Sequence, residues 1–156
     1  MDNYIFDKAY KTALELINLY HKDMMDKGNN PYIEHLLYVS NNCINKDAKI
    51  AGLLHDILED TDCTEQILID SNISTDIIKA IKLLTKSDNE TYSSYIDNLV
   101  ASNNIIALEV KFWDLSNNMD LSRLETITER DLNRVKKRYK PAQKKILEKL
   151  NELNVM

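Results

Sequence analysis

The sequence predicts an all-α domain, and three observations carry that prediction. Only two glycines and two prolines occur in 156 residues, so the turn chemistry that short strands require is scarce. Apolar residues recur at spacings of three and four through most of the chain, the repeat of a helix with one buried face. A composition of 44% hydrophobic and 29% charged residues is that of an ordinary soluble globule, and the length suits one compact domain.

The elements follow in order. Ile5, Ala9, Ala13, Leu16, Ile17 and Tyr20 keep the helical repeat from Tyr4 to about Asp23. Gly28, Asn29, Asn30 and Pro31 then break the pattern, and proline favours a helix start. A second helix is expected from Tyr32 to about Asn45, and a third, capped by Asp47, to about Leu58. Hydroxyl residues open short helices from Thr64 to about Ser71 and from Ser74 to Leu84, after which 85–90 reads as a polar loop. Helices from Thr91 to Ser102 and from Asn104 to about Asn117 come next, the latter strongly apolar. Ser122 with Glu125, and Thr126 with Glu129, have capping-box spacing and place a helix start nearby. Pro141 is expected to divide that helix from a last one ending near Leu153.

Bulk properties narrow the function. A formal net charge of -5 argues against a general nucleic-acid binder, because phosphate backbones reward positive surface. No apolar run is long enough to span a bilayer and the N-terminus lacks the order of a signal peptide, so a cytoplasmic protein without membrane attachment is expected. Cys43 and Cys63 are too few for a disulfide framework and read as reduced, packed thiols.

The stretch Leu53-Leu54-His55-Asp56-Ile57-Leu58-Glu59-Asp60 stands apart. At about 100° per residue, His55 stacks over Glu59 and Asp56 over Asp60, setting four ionisable groups on one arc of an otherwise apolar helix. Burying that much unpaired charge is costly, and metal ligation is the usual way it is tolerated. Carboxylates near a helix C-terminus also oppose the helix dipole, so a compensating cation is expected. His35 on the second helix and Asp114 after the apolar run Val110-Lys111-Phe112-Trp113 complete two imidazoles and two carboxylates. That mixed set suits a borderline divalent metal such as manganese, iron or zinc.

The arrangement of an upstream His, an adjacent His-Asp pair and a downstream Asp resembles the HD metallohydrolase superfamily. More narrowly, the segments DKGNNPYIEH, AGLLHDILEDT, LTK, ETYSSYI and VKFWDLSNNMDLSRL are similar to the hydrolase domain of Rel/Spo-type alarmone enzymes and their small single-domain relatives. The combination of HDxxED, PYIxH and KxxDxxxN carries this likeness, over most of the chain. It implies a compact helical fold and hydrolysis of the 3'-pyrophosphate of ppGpp, usually with manganese. By resemblance, His35, His55, Asp56 and Asp114 would bind metal, and Glu59 and Asp60 would handle the attacking water and its protons. Asn118 would lie near the substrate, with Lys27, Thr85, Lys86, Tyr92, Tyr95 and Arg123 as further candidates for contacts to phosphates or base.

The likeness breaks around the substrate. An arginine that helps hold guanine in the long enzymes is Asp26 here. The proline after the histidine is Leu36, and the arginine and histidine of the family's DRLHN run are Leu115 and Asn117. At 156 residues, no synthetase domain is expected beside the hydrolase-like one. A phosphatase or phosphodiesterase of the same fold acting on another nucleotide, such as NADPH or a cyclic nucleotide, is the competing enzyme reading, and a non-catalytic nucleotide-binding module the other. His21 reads as structural or exposed. The basic stretch from Arg134 to Lys140 reads as a solvated face or an anion-attracting rim.

Overall fold

The computed structural model describes residues 2–156 and is helical throughout, with no strand among the described residues. Ten α-helices follow one another: α1 Asn3–Tyr20, α2 Tyr32–Asn42, α3 Lys46–Leu54, α4 Ile57–Asp60, α5 Glu65–Asp70, α6 Thr75–Leu84, α7 Tyr92–Ser102, α8 Ile105–Met119, α9 Glu129–Arg134 and α10 Lys140–Glu152. The all-α expectation holds, and α2, α3 and α8 form the packed centre, with α1 and α6 against α3 and with α10 laid along α8.

Helix α3 is the most enclosed element, with Ala48 and every residue from Ile50 to Leu54 buried. Gly52 lets it cross α2 closely: an added Cβ would stand 3.1 Å from Cα of Ser40. The crossing is fastened where the Ser40 hydroxyl donates to the Lys49 carbonyl at 2.7 Å. Glu109, buried on α8, uses Oε1 to accept the backbone N–H groups of Ile44 and Asn45, so the α2–α3 turn is tied to α8 by satisfied polar atoms.

Thr64 and Ser74 accept first-turn N–H groups as the expected hydroxyl caps, and Thr91 and Asn104 do the same for α7 and α8. Asn29, Asn72 and Asn103 take left-handed φ values of 61°, 63° and 54°. Asparagine supplies the turns that glycine would otherwise make, which explains how so few glycines suffice.

Several boundaries differ from expectation. Helix α1 ends at Tyr20 rather than near Asp23, and α2 at Asn42 rather than near Asn45. Asn45, not Asp47, caps α3, accepting the Ala48 N–H at 3.1 Å, so Asp47 falls in the first turn. Neither expected capping box forms; Thr128 caps α9 reciprocally with Asp131. Pro141 does not divide two helices, since a wide π turn over Val135–Tyr139 joins α9 directly to α10. That turn lets the chain absorb the donor missing at Pro141 without stopping.

The most consequential difference is at the acidic stretch. The third helix does not run to Leu58: it stops at Leu54, His55 is its C-cap, and Asp56 leaves helical geometry at φ -103° and ψ 0° before α4 restarts. His55 and Asp56 therefore do not ride on one regular arc with Glu59 and Asp60. The break leaves the two adjacent side chains facing one point.

Candidate metal centre

Three elements converge on that point. Helix α2 brings His35, the α3–α4 break brings His55 and Asp56, and α8 brings Asp114. His55 Nε2 lies 3.0 Å from Asp56 Oδ2 and 3.3 Å from Asp114 Oδ1. His35 Nε2 lies 3.0 Å from the same Asp114 oxygen and 4.0 Å from Asp56 Oδ2. The four ligand atoms stand within 4.8 Å of one another. Donors about 2.1 Å from a shared divalent ion lie about 3 Å apart when adjacent and about 4 Å apart when opposite, which these separations match.

The surrounding hydrogen bonds fit the same reading. His35 Nδ1–H donates to Asn117 Oδ1 at 2.6 Å, and His55 Nδ1–H donates to the Gly52 carbonyl at 2.7 Å. Each bond commits Nδ1 as the donor and turns Nε2 toward the carboxylates, the tautomer a metal-ligating imidazole needs. His35, His55 and Asp114 are buried, and Asp56 nearly so, so this donor set is closed on the protein side.

Electrostatics show what the centre demands when filled by protons alone. Burial works against a charged His55, yet the Asp56 carboxylate and the bonds to Asp114 and Asp56 outweigh it and hold the imidazole well above its ordinary 6.5. Burial would likewise raise Asp114, but Lys111 and the two histidines hold it well below the usual carboxylate range. Lys111 donates to Asp114 Oδ2 at 2.7 Å and packs against the rings of Tyr95 and Tyr92. Tyr32 donates its hydroxyl to Asp56 Oδ2, and burial with that negative neighbour keeps the phenol protonated.

Glu59 and Asp60 stand beside this set, each with a carboxylate oxygen close to that of Asp56. Glu59 Oε1 accepts the Lys86 N–H at 2.9 Å, and desolvation raises its carboxyl despite that bond. Burial and the charges of Asp56 and Glu59 push Asp60 up to about 6.

A cavity of about 280 Å³ opens beside His35 and Tyr32, lined also by Lys27, Asn118, Arg123 and Tyr139. Asn118 donates to Asp114 Oδ1 at 3.3 Å, linking the cavity to the ligand set. The structure thus gathers Lys27, Asn118 and Arg123 on one side. Thr85 and Lys86 lie on the Glu59 side instead, the Thr85 hydroxyl donating to Ile81, while Tyr92 sits behind Lys111 and Tyr95 donates its hydroxyl to Leu84. His21 is fully buried and stacks on Tyr32.

Asp26 is not a free charge in the cavity. Its Oδ1 accepts the N–H groups of Gly28 and Asn30 at 2.8 and 3.0 Å, and its Oδ2 accepts Arg123 at 2.9 Å. Sequence reasoning gave no role to Lys111, Tyr32 or Asn117. The signal was helical spacing: Tyr32 precedes His35 by one turn, and Lys111 and Asn117 flank Asp114 by one turn each way.

No family model and no curated protein matches this sequence. Among solved structures, the chain is similar to a protein described as a metazoan ortholog of SpoT that hydrolyzes ppGpp and plays a role in starvation responses. The two share 19% identity with a TM-score of 0.65, covering 96% of this chain and 97% of the other. The likeness is one of fold, along nearly the whole of both chains.

Proposed function

We propose that this protein is a metal-dependent nucleotide pyrophosphohydrolase of the HD type, acting on the 3'-pyrophosphate of (p)ppGpp or a related alarmone. The observation that carries the reading is the pair of imidazoles, each locked through Nδ1 and aimed through Nε2 at the carboxylates of Asp56 and Asp114. The fold likeness to a ppGpp-hydrolyzing protein supports the substrate class.

In this reading His35, His55, Asp56 and Asp114 hold one divalent ion, with manganese first and iron or zinc as alternatives. When bound, such an ion polarises the phosphoryl oxygen and eases deprotonation of water. Glu59 accepts the proton of the attacking water, its carboxyl raised toward a working base by desolvation. As the new oxygen–phosphorus bond forms, the bond from phosphorus to the ribose 3'-oxygen breaks, releasing pyrophosphate. Asp60, held at about 6, returns a proton to that 3'-oxygen. Lys27 and Arg123 line the cavity where the anionic substrate sits beside Asn118, while Thr85, Lys86 and Tyr92 serve the phosphates from the Glu59 and Lys111 sides. A cytoplasmic enzyme is in keeping with this substrate, and no described helix is long and apolar enough to cross a membrane.

A second reading keeps the chemistry and changes the nucleotide. The mutual engagement of Asp26 and Arg123 favours it, since both side chains are committed to each other at the cavity wall. Incubation of the purified protein and manganese with ppGpp, NADPH and a cyclic nucleotide, scored separately for phosphate and pyrophosphate, decides between them. Pyrophosphate from ppGpp is the expected result; turnover of another nucleotide alone removes the alarmone assignment.

A further inference from the structure

The basic stretch finds its use away from the metal centre. Every charged residue from Arg134 to Lys145 is a lysine or arginine, in a chain whose net charge is -5. The helical repeat sets Lys137 and Arg138, then Pro141 and Ala142, then Lys145 along one face. That face lies across from Tyr92, Ser93 and Ile96 of α7, and a cleft of about 210 Å³ separates them. Its walls are of two kinds. Pro141 gives an exposed apolar side, with the buried Ile96 and Ala142 at its base, whereas Lys137, Arg138, Lys145 and Ser93 give a polar side.

The cations are unequally committed. Lys145 pairs with Asp97 at 3.1 Å, both groups well exposed, so that pair is weak and easily exchanged. No carboxylate among the described residues lies within ion-pair distance of Lys137 or Arg138. The Arg138 guanidinium is nonetheless held in place, 5.1 Å from the centre of the Tyr92 ring. The ring holds its position by a cation–π contact, and no carboxylate among the described residues neutralises its charge.

We infer that this cleft is a second ligand site, separate from the cavity beside His35, and that it takes a nucleoside diphosphate. The phosphates meet Lys137, Arg138 and Ser93, and the nucleoside lies on Pro141, over the edge of the buried Ile96 and Ala142. A lone inorganic anion would use only the donor side, and an uncharged apolar ligand would leave the unpaired cations unanswered. None of the cleft cations touches the proposed metal ligands, and Tyr92, which holds Arg138, is the residue the cleft shares with the substrate surroundings proposed above.

The test is a titration of the whole protein with ADP in metal-free buffer at low ionic strength, followed by amide NMR shifts. Saturable shifts at Ser93, Ala142 and Lys145 are expected, and Lys137→Gln with Arg138→Gln weakens that binding by about tenfold or more. The paired exchange Lys137→Arg with Arg138→Lys keeps most of it. Both positions are exposed, so the spectrum of the free variants reports an intact fold. Shifts confined to Lys27, Asn118 and Leu124, or unchanged affinity in the Gln pair, overturn the site. Inorganic pyrophosphate binding as tightly as ADP overturns the nucleoside half of the assignment.

Discussion

His35 donates its Nδ1–H to Asn117 Oδ1 at 2.6 Å, and this bond, formed between two buried side chains on α2 and α8, aims the other ring nitrogen at Asp114. Replacing Asn117 with Leu keeps the branched shape of the side chain but removes the acceptor. Metal affinity is expected to fall about 10- to 100-fold, with helicity unchanged, as read by competition against a chelating dye. Full affinity in Asn117→Leu would show that His35 needs no such orientation.

The proposed ligands and proton carriers separate by mutation. Asp56→Ala is expected to lose both bound metal and activity. Glu59→Gln retains the metal while turnover drops by about 10²- to 10⁴-fold. Metal content by elemental analysis, set beside rates on the same samples, checks the division; equal occupancy and full activity in both variants would dissolve the proposed site.

The pH dependence of metal uptake follows from His55. Asp56 and Asp114 hold its imidazole protonated well above the ordinary 6.5 against the pull of burial, so an incoming metal must displace that proton. Apparent affinity should therefore rise with pH above 6.5, with proton release on binding, measurable by calorimetry in buffers of different ionisation enthalpy. The sign for stability is opposite in the metal-free protein. A raised folded value means that the stabilisation from His55 is complete below its ordinary value and is lost as pH rises through the raised one. Metal binding without proton release near neutral pH would contradict this picture.

Lys111 and Asp114 form an ion pair with little exposure, 11% and 7% for the two side chains. Lys111→Met leaves the carboxylate without its cation and is expected to cost about 3 to 5 kcal/mol in the metal-free protein. Urea denaturation in the presence of a chelator measures it. A loss under 1 kcal/mol, on the order expected of a surface pair, would mean that the histidines alone support Asp114.

Gly28 sits where an added Cβ would meet the Arg123 carbonyl oxygen at 2.2 Å. Gly28→Ala should push the loop carrying Asp26 away from Arg123, destabilising the fold by about 1 to 3 kcal/mol and raising KM more than it lowers kcat. Unchanged KM with ppGpp, or with whichever nucleotide is turned over, would place the loop outside the substrate cavity.

Much of this could be read from the chain itself. Apolar spacing and the scarcity of glycine determined the helical class, since a periodic buried face is a local property. Hydroxyl caps marked the starts of α5 and α6 for the same reason. Ionisable groups on an apolar segment drew attention to His55 and Asp56, while His35 and Asp114 joined them as metal-ligand candidates through the likeness to the HD pattern.

Tertiary structure decided what depends on distant neighbours. The helix break at His55 and Asp56 opposes local propensity and exists because the two side chains meet His35 and Asp114 from other helices. Helical spacing places Lys111 beside Asp114 on α8, but Asn117 and Tyr32 acquire their partners, His35 and Asp56, only when distant elements pack together. The meaning of Asp26 changed most: as a sequence feature it is a charge reversal in the substrate region, and in the fold it is a carboxylate answered by Arg123, 97 residues away. Long-range pairing of this kind is set by packing geometry, and packing is where the sequence alone stops speaking.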